Sequence, residues 1–250
     1  MSEIISKVLG SRRLKRFSAT YAMMYVVMSL ILNYISTLSI FDGALMSYVF
    51  VLISMTVQAP FMFGCIRGIV TRDYNVGKGL GCFGEVDKYP FYLAYIVLNV
   101  GYEIIYDLVF SLTNNEGALQ FVGLALSIVF LLVRILLNVL IIKIYFDAIF
   151  AEREKPRFSI SASFNGFLSI ISEKPGKIIA AEFLMWLFGF FSLQLGSSLA
   201  GLLPQHSIVP LLLSCFVAVQ FGMITLTWPV YYLYYKSICG LSEKNEHEAI

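Results

Sequence analysis

The sequence predicts an all-α membrane protein, a polytopic bundle of six membrane-spanning helices. Apolar residues make up 58% of the chain and charged residues only 14%, with a mean hydropathy of +0.79. Those values are typical of membrane proteins and not of soluble domains. Six apolar stretches also reach the roughly 20 residues that a helix needs to cross about 30 Å of hydrocarbon.

The six stretches are continuous and lack the alternation of an outer-membrane barrel, so helices are favoured over strands. A helix also satisfies its own backbone hydrogen bonds in lipid. We therefore predict one integral membrane domain over residues 1–250. Its spans are predicted at residues 18–40, 44–66, 89–112, 118–142, 176–203 and 208–235.

The basic residues predict the orientation of the chain. Of the 18 Lys and Arg residues, five precede the first span, four lie in residues 67–88, six in residues 143–177 and two after the last span. The three short connections contain none, which leaves only Arg134 inside a span. Cytoplasmic loops are enriched in Lys and Arg, so both termini are predicted to be cytoplasmic. Trp228 and the tyrosines at 231, 232, 234 and 235 are predicted to form an aromatic belt at the inner interface.

The two long cytoplasmic loops differ in their helical patterns. In the second loop, Phe164, Phe167, Leu168 and Ile171 recur at helical spacing, which predicts an amphipathic helix lying in the membrane interface. In the first loop, residues 77–84 contain four glycines, so this segment is predicted to be a looser counterpart.

Polar side chains inside the spans form the candidate site. A charge at mid-bilayer costs about 2.5–3.5 kcal/mol on insertion scales, so such a group normally faces protein or water. At 1.5 Å of rise per residue, Arg134 lies about 13 Å from the inner surface, Glu103 about 20 Å and Glu182 about 8 Å. Arg134 is therefore predicted to pair with Glu103 or with Glu182, while Asp107 extends towards the outer surface. The predicted polar seam consists of Arg134, Glu103, Glu182, Asn99, Asn138 and Asp107.

This seam has two interpretations, because buried ion pairs can hold helices together without transporting anything, or can mark a transport pathway. In the fifth span Ser192, Gly196 and Ala200 follow a small-xxx-small spacing. That spacing allows close helix packing, and its sharper interpretation is a homo-oligomer interface.

Catalytic and metal-binding motifs are absent from the sequence. It contains no HExxH, no GxSxG and no phosphate-binding loop, and its four cysteines show no CxxC spacing. We therefore expect no enzymatic activity, no cofactor and no metal site. A basic nucleic-acid-binding surface is not predicted either.

Three groups of residues carry a family resemblance. They are residues 60–64 with Arg67 and Phe83, residues 145–163 with Tyr145, Ala148, Pro156, Ser159 and Ser163, and residues 228–232 with Trp228, Pro229, Tyr231 and Tyr232. On these residues the chain resembles a family of bacterial integral membrane proteins of unknown function, related to the membrane domain of some glycerophosphodiester phosphodiesterases. The resemblance implies six helices in a Gram-positive cell membrane and no catalytic residue. Because no phosphodiesterase domain is present, hydrolysis of lipid esters is not expected.

Two functions fit these features. The first is a non-enzymatic accessory protein of the bacterial cell envelope, surrounded by membrane lipids, whose cytoplasmic loops bind a protein partner. The alternative is a permease subunit of an ABC-type exporter. That subunit would need an ATPase on a separate chain, contacted by a loop helix near residues 158–172, because this sequence contains no nucleotide-binding motif.

Overall fold

The structure is a computed structural model that describes residues 2–36, 44–113, 120–150, 160–183, 185, 187 and 209–239. Over these residues the chain is helical and contains no strand. The predicted all-α class is confirmed for this part of the chain.

The helices are numbered here in chain order, with two short 3₁₀ turns, Cys82–Gly84 and Val86–Lys88, before the fifth. The helices are α1 (Ser2–Gly10), α2 (Arg12–Ser36), α3 (Ala44–Thr71), α4 (Val76–Gly81), α5 (Tyr89–Thr113), α6 (Gln120–Phe150), α7 (Ile160–Glu173), α8 (175–183) and α9 (Val209–Ile238).

Three of the described helical stretches are long and apolar enough to cross a membrane: Met46–Thr71, Val86–Val109 and Ala125–Phe150. They cover most of the second, third and fourth predicted spans. Helices α2 and α9 occupy most of the first and sixth predicted spans, and α8 begins the fifth. The six crossings and the cytoplasmic termini stay predictions.

Several helices extend beyond the ends that hydropathy predicted. Helix α2 begins at Arg12 and not at residue 18, and the Ser11 hydroxyl accepts a hydrogen bond from the Leu14 backbone N–H over 3.3 Å, as an N-cap does. Helix α6 continues to Phe150, eight residues past the predicted end of its span. The reason is that charged residues stop membrane insertion but do not stop backbone helix formation.

The chain divides into two compact units. The first comprises Met1–Ile35, Gly64–Gly79 and Ile170–Ile250, and the second comprises Ser36–Phe63 and Leu80–Ser169. The prediction of a single domain over residues 1–250 is not tested by this division.

The first unit is built on close backbone approaches. Gly64 of α3 lies so near the Gly79 carbonyl of α4 that a Cβ on Gly64 would overlap it, and Gly68 lies directly against the Phe17 ring. Helix α3 ends at Thr71, and the next residue, Arg72, has a φ of 60°, the left-handed conformation that commonly terminates helices. Glycine at 64 is thus required by contact with another segment and not by its own backbone angles.

An aromatic cluster forms the core of the second unit. The Phe63 ring packs edge-on against Tyr92 and Tyr145, with centroids 5.6 and 5.4 Å away, and Tyr95 stacks on Tyr145 at 5.8 Å. The Tyr145 hydroxyl donates to the Ala59 carbonyl of α3 over 3.2 Å. This cluster joins the ends of α3, α5 and α6 that lie nearest the predicted cytoplasmic loops.

We predict that Gly64→Ala destabilises the protein by about 1–3 kcal/mol, because the added methyl group overpacks α3 against α4. Gly101→Ala is the matched control, since a Cβ at Gly101 in α5 would meet no atom within 4 Å. The control should be neutral or slightly stabilising, as alanine favours helix over glycine. Thermal unfolding in detergent measures both variants, and equal melting temperatures would contradict the described approach of α3 and α4.

Candidate functional site

Helices α5 and α6 form an antiparallel pair that carries five of the six residues of the predicted seam. The Tyr102 hydroxyl of α5 donates to the Phe130 carbonyl of α6 over 3.2 Å. The Phe130 ring packs edge-on against Tyr102 and Tyr106, with centroid distances of 6.0 and 5.4 Å. These contacts fix the register of the two helices and so determine which polar side chains meet.

Arg134 and Glu103 meet across this helix pair. The Nη1 atom of Arg134 lies 3.6 Å from Oε1 of Glu103, and the guanidinium carbon lies 5.0 Å from the centroid of the Tyr102 ring. Both contacts favour the cation, the second through the negative face of the ring. Of the two partners that the sequence allowed for Arg134, the structure therefore places Glu103 beside it.

This ion pair is neither sealed nor fully satisfied. The side chains of Arg134 and Glu103 are 35% and 38% exposed. The Nη1 atom is itself enclosed and makes no hydrogen bond to any described residue. Arg134 thus keeps hydrogen-bonding capacity that this pairing does not use.

Glu182 belongs to a different cluster, in the first compact unit. It is 6% exposed, and its Oε1 atom accepts hydrogen bonds from the hydroxyls of Tyr231 and Tyr235 on α9, the second over 2.8 Å. Two hydroxyl donors compensate much of the cost of burying a carboxylate. This arrangement joins α8 to α9.

The assignment of the tyrosines at 231–235 to an interfacial belt was wrong for Tyr231, Tyr232 and Tyr235, which are buried. A belt residue faces lipid headgroups, whereas Tyr231 and Tyr235 face Glu182. The sequence does indicate this pairing through the spacing of Tyr231 and Tyr235, which are four residues apart and so place both hydroxyls on one face of the helix.

The other predicted seam residues of α5 and α6 make no described hydrogen bond or ion pair with Arg134 or Glu103. Asn99 is buried, and its side-chain amide donates to the Tyr95 carbonyl of its own helix over 2.8 Å. Asp107 is exposed and accepts from the Tyr48 hydroxyl of α3 over 3.2 Å. Asn138 is half-buried. Ser192, Gly196 and Ala200 lie outside the described residues.

A second polar cluster fixes α7 against α6. Lys143 and Asp147 form an ion pair one turn apart on α6, and the Ser163 hydroxyl of α7 donates to the second oxygen of Asp147 over 2.8 Å. Gly166 leaves room for the Lys143 side chain, which a Cβ at that position would crowd. Ser163 is buried, as Phe167 is, because its hydroxyl has this partner.

Two of the lysines that predict the orientation of the chain in the membrane also bind the ends of helices. Lys236 is buried and donates to the Val70 carbonyl at the end of α3 over 3.0 Å, and Lys174 donates to the Ile238 carbonyl of α9 over 2.7 Å. Cations stabilise the last carbonyls of helices, where the backbone dipole is negative. Both contacts lie within the first unit.

The described residues contain no group of three His, Cys, Asp or Glu that could hold a metal ion. Among the described residues, Cys65, Cys82 and Cys239 form no disulfide.

No protein-family model, curated protein or solved structure matches this chain. The resemblance to the bacterial membrane family therefore stays a prediction.

We predict that Tyr235→Phe destabilises the protein by about 1–3 kcal/mol, because it removes one donor from a buried carboxylate. Tyr234→Phe is the matched control, since Tyr234 is half-buried on the same turn and makes no described hydrogen bond to Glu182. Thermal unfolding in detergent should separate the two variants. A Tyr235→Phe protein that unfolds at the wild-type temperature would show that this hydrogen bond contributes little.

Proposed function

We propose that this chain is a six-span integral protein of the bacterial cell membrane, with both termini in the cytoplasm, that acts without catalysis by binding another protein. The family resemblance, the apolar helices and the distribution of Lys and Arg support the membrane location and the orientation. The binding role rests on the surface that α7 presents.

The exposed apolar pair on α7 is the observation that carries the binding role. Phe164 and Leu168 are exposed, one turn apart, on a helix whose adjacent face is held by Ser163 and Phe167. A helix that is anchored along one face and exposes apolar side chains beside that face presents a rigid surface. We propose that its partner is a cytoplasmic or membrane protein with an apolar groove.

The same surface supports the alternative function, a permease subunit of an ABC-type exporter. In that case the occupant of the Phe164–Leu168 surface is an ATPase on a separate chain. The specific observation in its favour is that α7 is fixed to the end of α6 through Asp147, so a movement of α7 would be passed to a predicted membrane span.

Affinity purification in mild detergent distinguishes the two functions by identifying the chains that copurify. We expect Phe164→Ser combined with Leu168→Ser to abolish recovery of the partner without unfolding the protein, because both side chains are exposed. An ATPase lost in this variant would establish the permease function, and another protein would establish the accessory function.

The control for this experiment is Ser161→Ala combined with Asn165→Ala, which alters exposed polar positions of the same helix. This control should retain the partner. If the apolar variant retains it as well, or if no chain copurifies with the wild type, the proposed role of α7 is wrong.

A further inference from the structure

Among the described residues, little protein surrounds the most apolar parts of α5 and α6. Only 11% of the most apolar window in Val86–Val109 and 17% of that in Ala125–Phe150 is buried within the protein, against 44% for Met46–Thr71. Apolar side chains on this surface can be covered by lipid without cost. A charged pair on the same surface cannot.

The half-open ion pair of Arg134 and Glu103 lies on this surface. The exposed side chains one turn away on the same helix faces are Leu131 on α6 and Asp107 on α5. Another protein surface that carries charges of its own would cover the two charges.

We infer that two copies of this chain associate in the membrane through α5 and α6, with Arg134 of each copy opposite Glu103 of the other. A face that presents one cation and one anion side by side complements itself under two-fold symmetry. This inference uses the predicted membrane location and does not depend on the α7 surface.

The geometry of the helix pair fits this symmetry. Arg134 and Glu103 lie on neighbouring antiparallel helices with their charged atoms 3.6 Å apart, hence at the same level along the helices. A two-fold axis that runs parallel to the helices, between α5 and α6, places α5 of one copy against α6 of the other. Each guanidinium then lies between two carboxylates, which uses donors that the pairing within one copy leaves free.

Charge reversal in two differently tagged copies tests the inference. Arg134→Glu gives a face with two anions, and Glu103→Arg gives a face with two cations. Each variant should associate with itself more than about 100-fold more weakly than the wild type, because like charges then meet in a low dielectric. A mixture of the two variants should restore association, since an anionic face meets a cationic one.

The mixture separates pairing between copies from pairing within one copy, because neither variant has an internal ion pair to recover. Copurification of the two tags in mild detergent and after crosslinking in the membrane measures association. Wild-type copies that do not copurify, self-association of either variant at the wild-type level, or no recovery in the mixture would each overturn the inference.

If the charge-reversed variants do not fold, the double variant Arg134→Leu, Glu103→Leu tests the inference instead. Replacing an ion pair by apolar residues is often neutral or stabilising, so this double variant should fold. We expect it to be a monomer, because the apolar surface that remains is solvated by lipid. A folded double variant that still forms the wild-type dimer would contradict the role of the two charges.

Discussion

The constraint on which the structure depends is that a polar group in an apolar surrounding needs a partner from the protein itself. The described part of the chain meets this requirement in several ways. Glu182 receives two tyrosine hydroxyls, Asp147 receives a lysine and a serine, and Lys236 binds a helix-terminal carbonyl. Each of these contacts joins different elements within one unit or fixes a turn, so the polar groups determine which helices meet as much as apolar packing does.

Arg134 departs from this pattern, as the buried Ser18 hydroxyl does, and because it carries a charge it gives the structure its functional interest. It has a carboxylate and an aromatic face beside it, yet one third of its side chain is open and an enclosed nitrogen has no described acceptor. A buried ion pair is weak evidence for stability, because desolvation offsets much of the attraction. An open ion pair on two apolar helices is better explained if the association of two copies buries it. We therefore propose that a second copy, and not the fold of a single copy, supplies the missing partners of Arg134.

The sequence predicted the helices well and their ends poorly. Hydropathy located α3, α5 and α6 because a span must be apolar throughout, but α2 and α6 extend into charged residues that a helix tolerates and lipid does not. Depth along the helix put Glu103 within reach of Arg134. Depth could not give the rotational position of each helix, so the partners of Glu182 and Ser163 appeared only in the structure.

The central claim is that α5 and α6 cross the membrane with Arg134 and Glu103 inside it, and the sidedness of the flanking connections tests it most directly. Single cysteines introduced in a cysteine-free background at Asn115 and Gln205 should react with a membrane-impermeant thiol reagent in intact cells. Cysteines at Lys78 and Ser172 should react only after the membrane is made permeable. Labelling of position 78 or 172 from outside, or protection of both 115 and 205, would contradict the predicted orientation and with it the depth assigned to the ion pair.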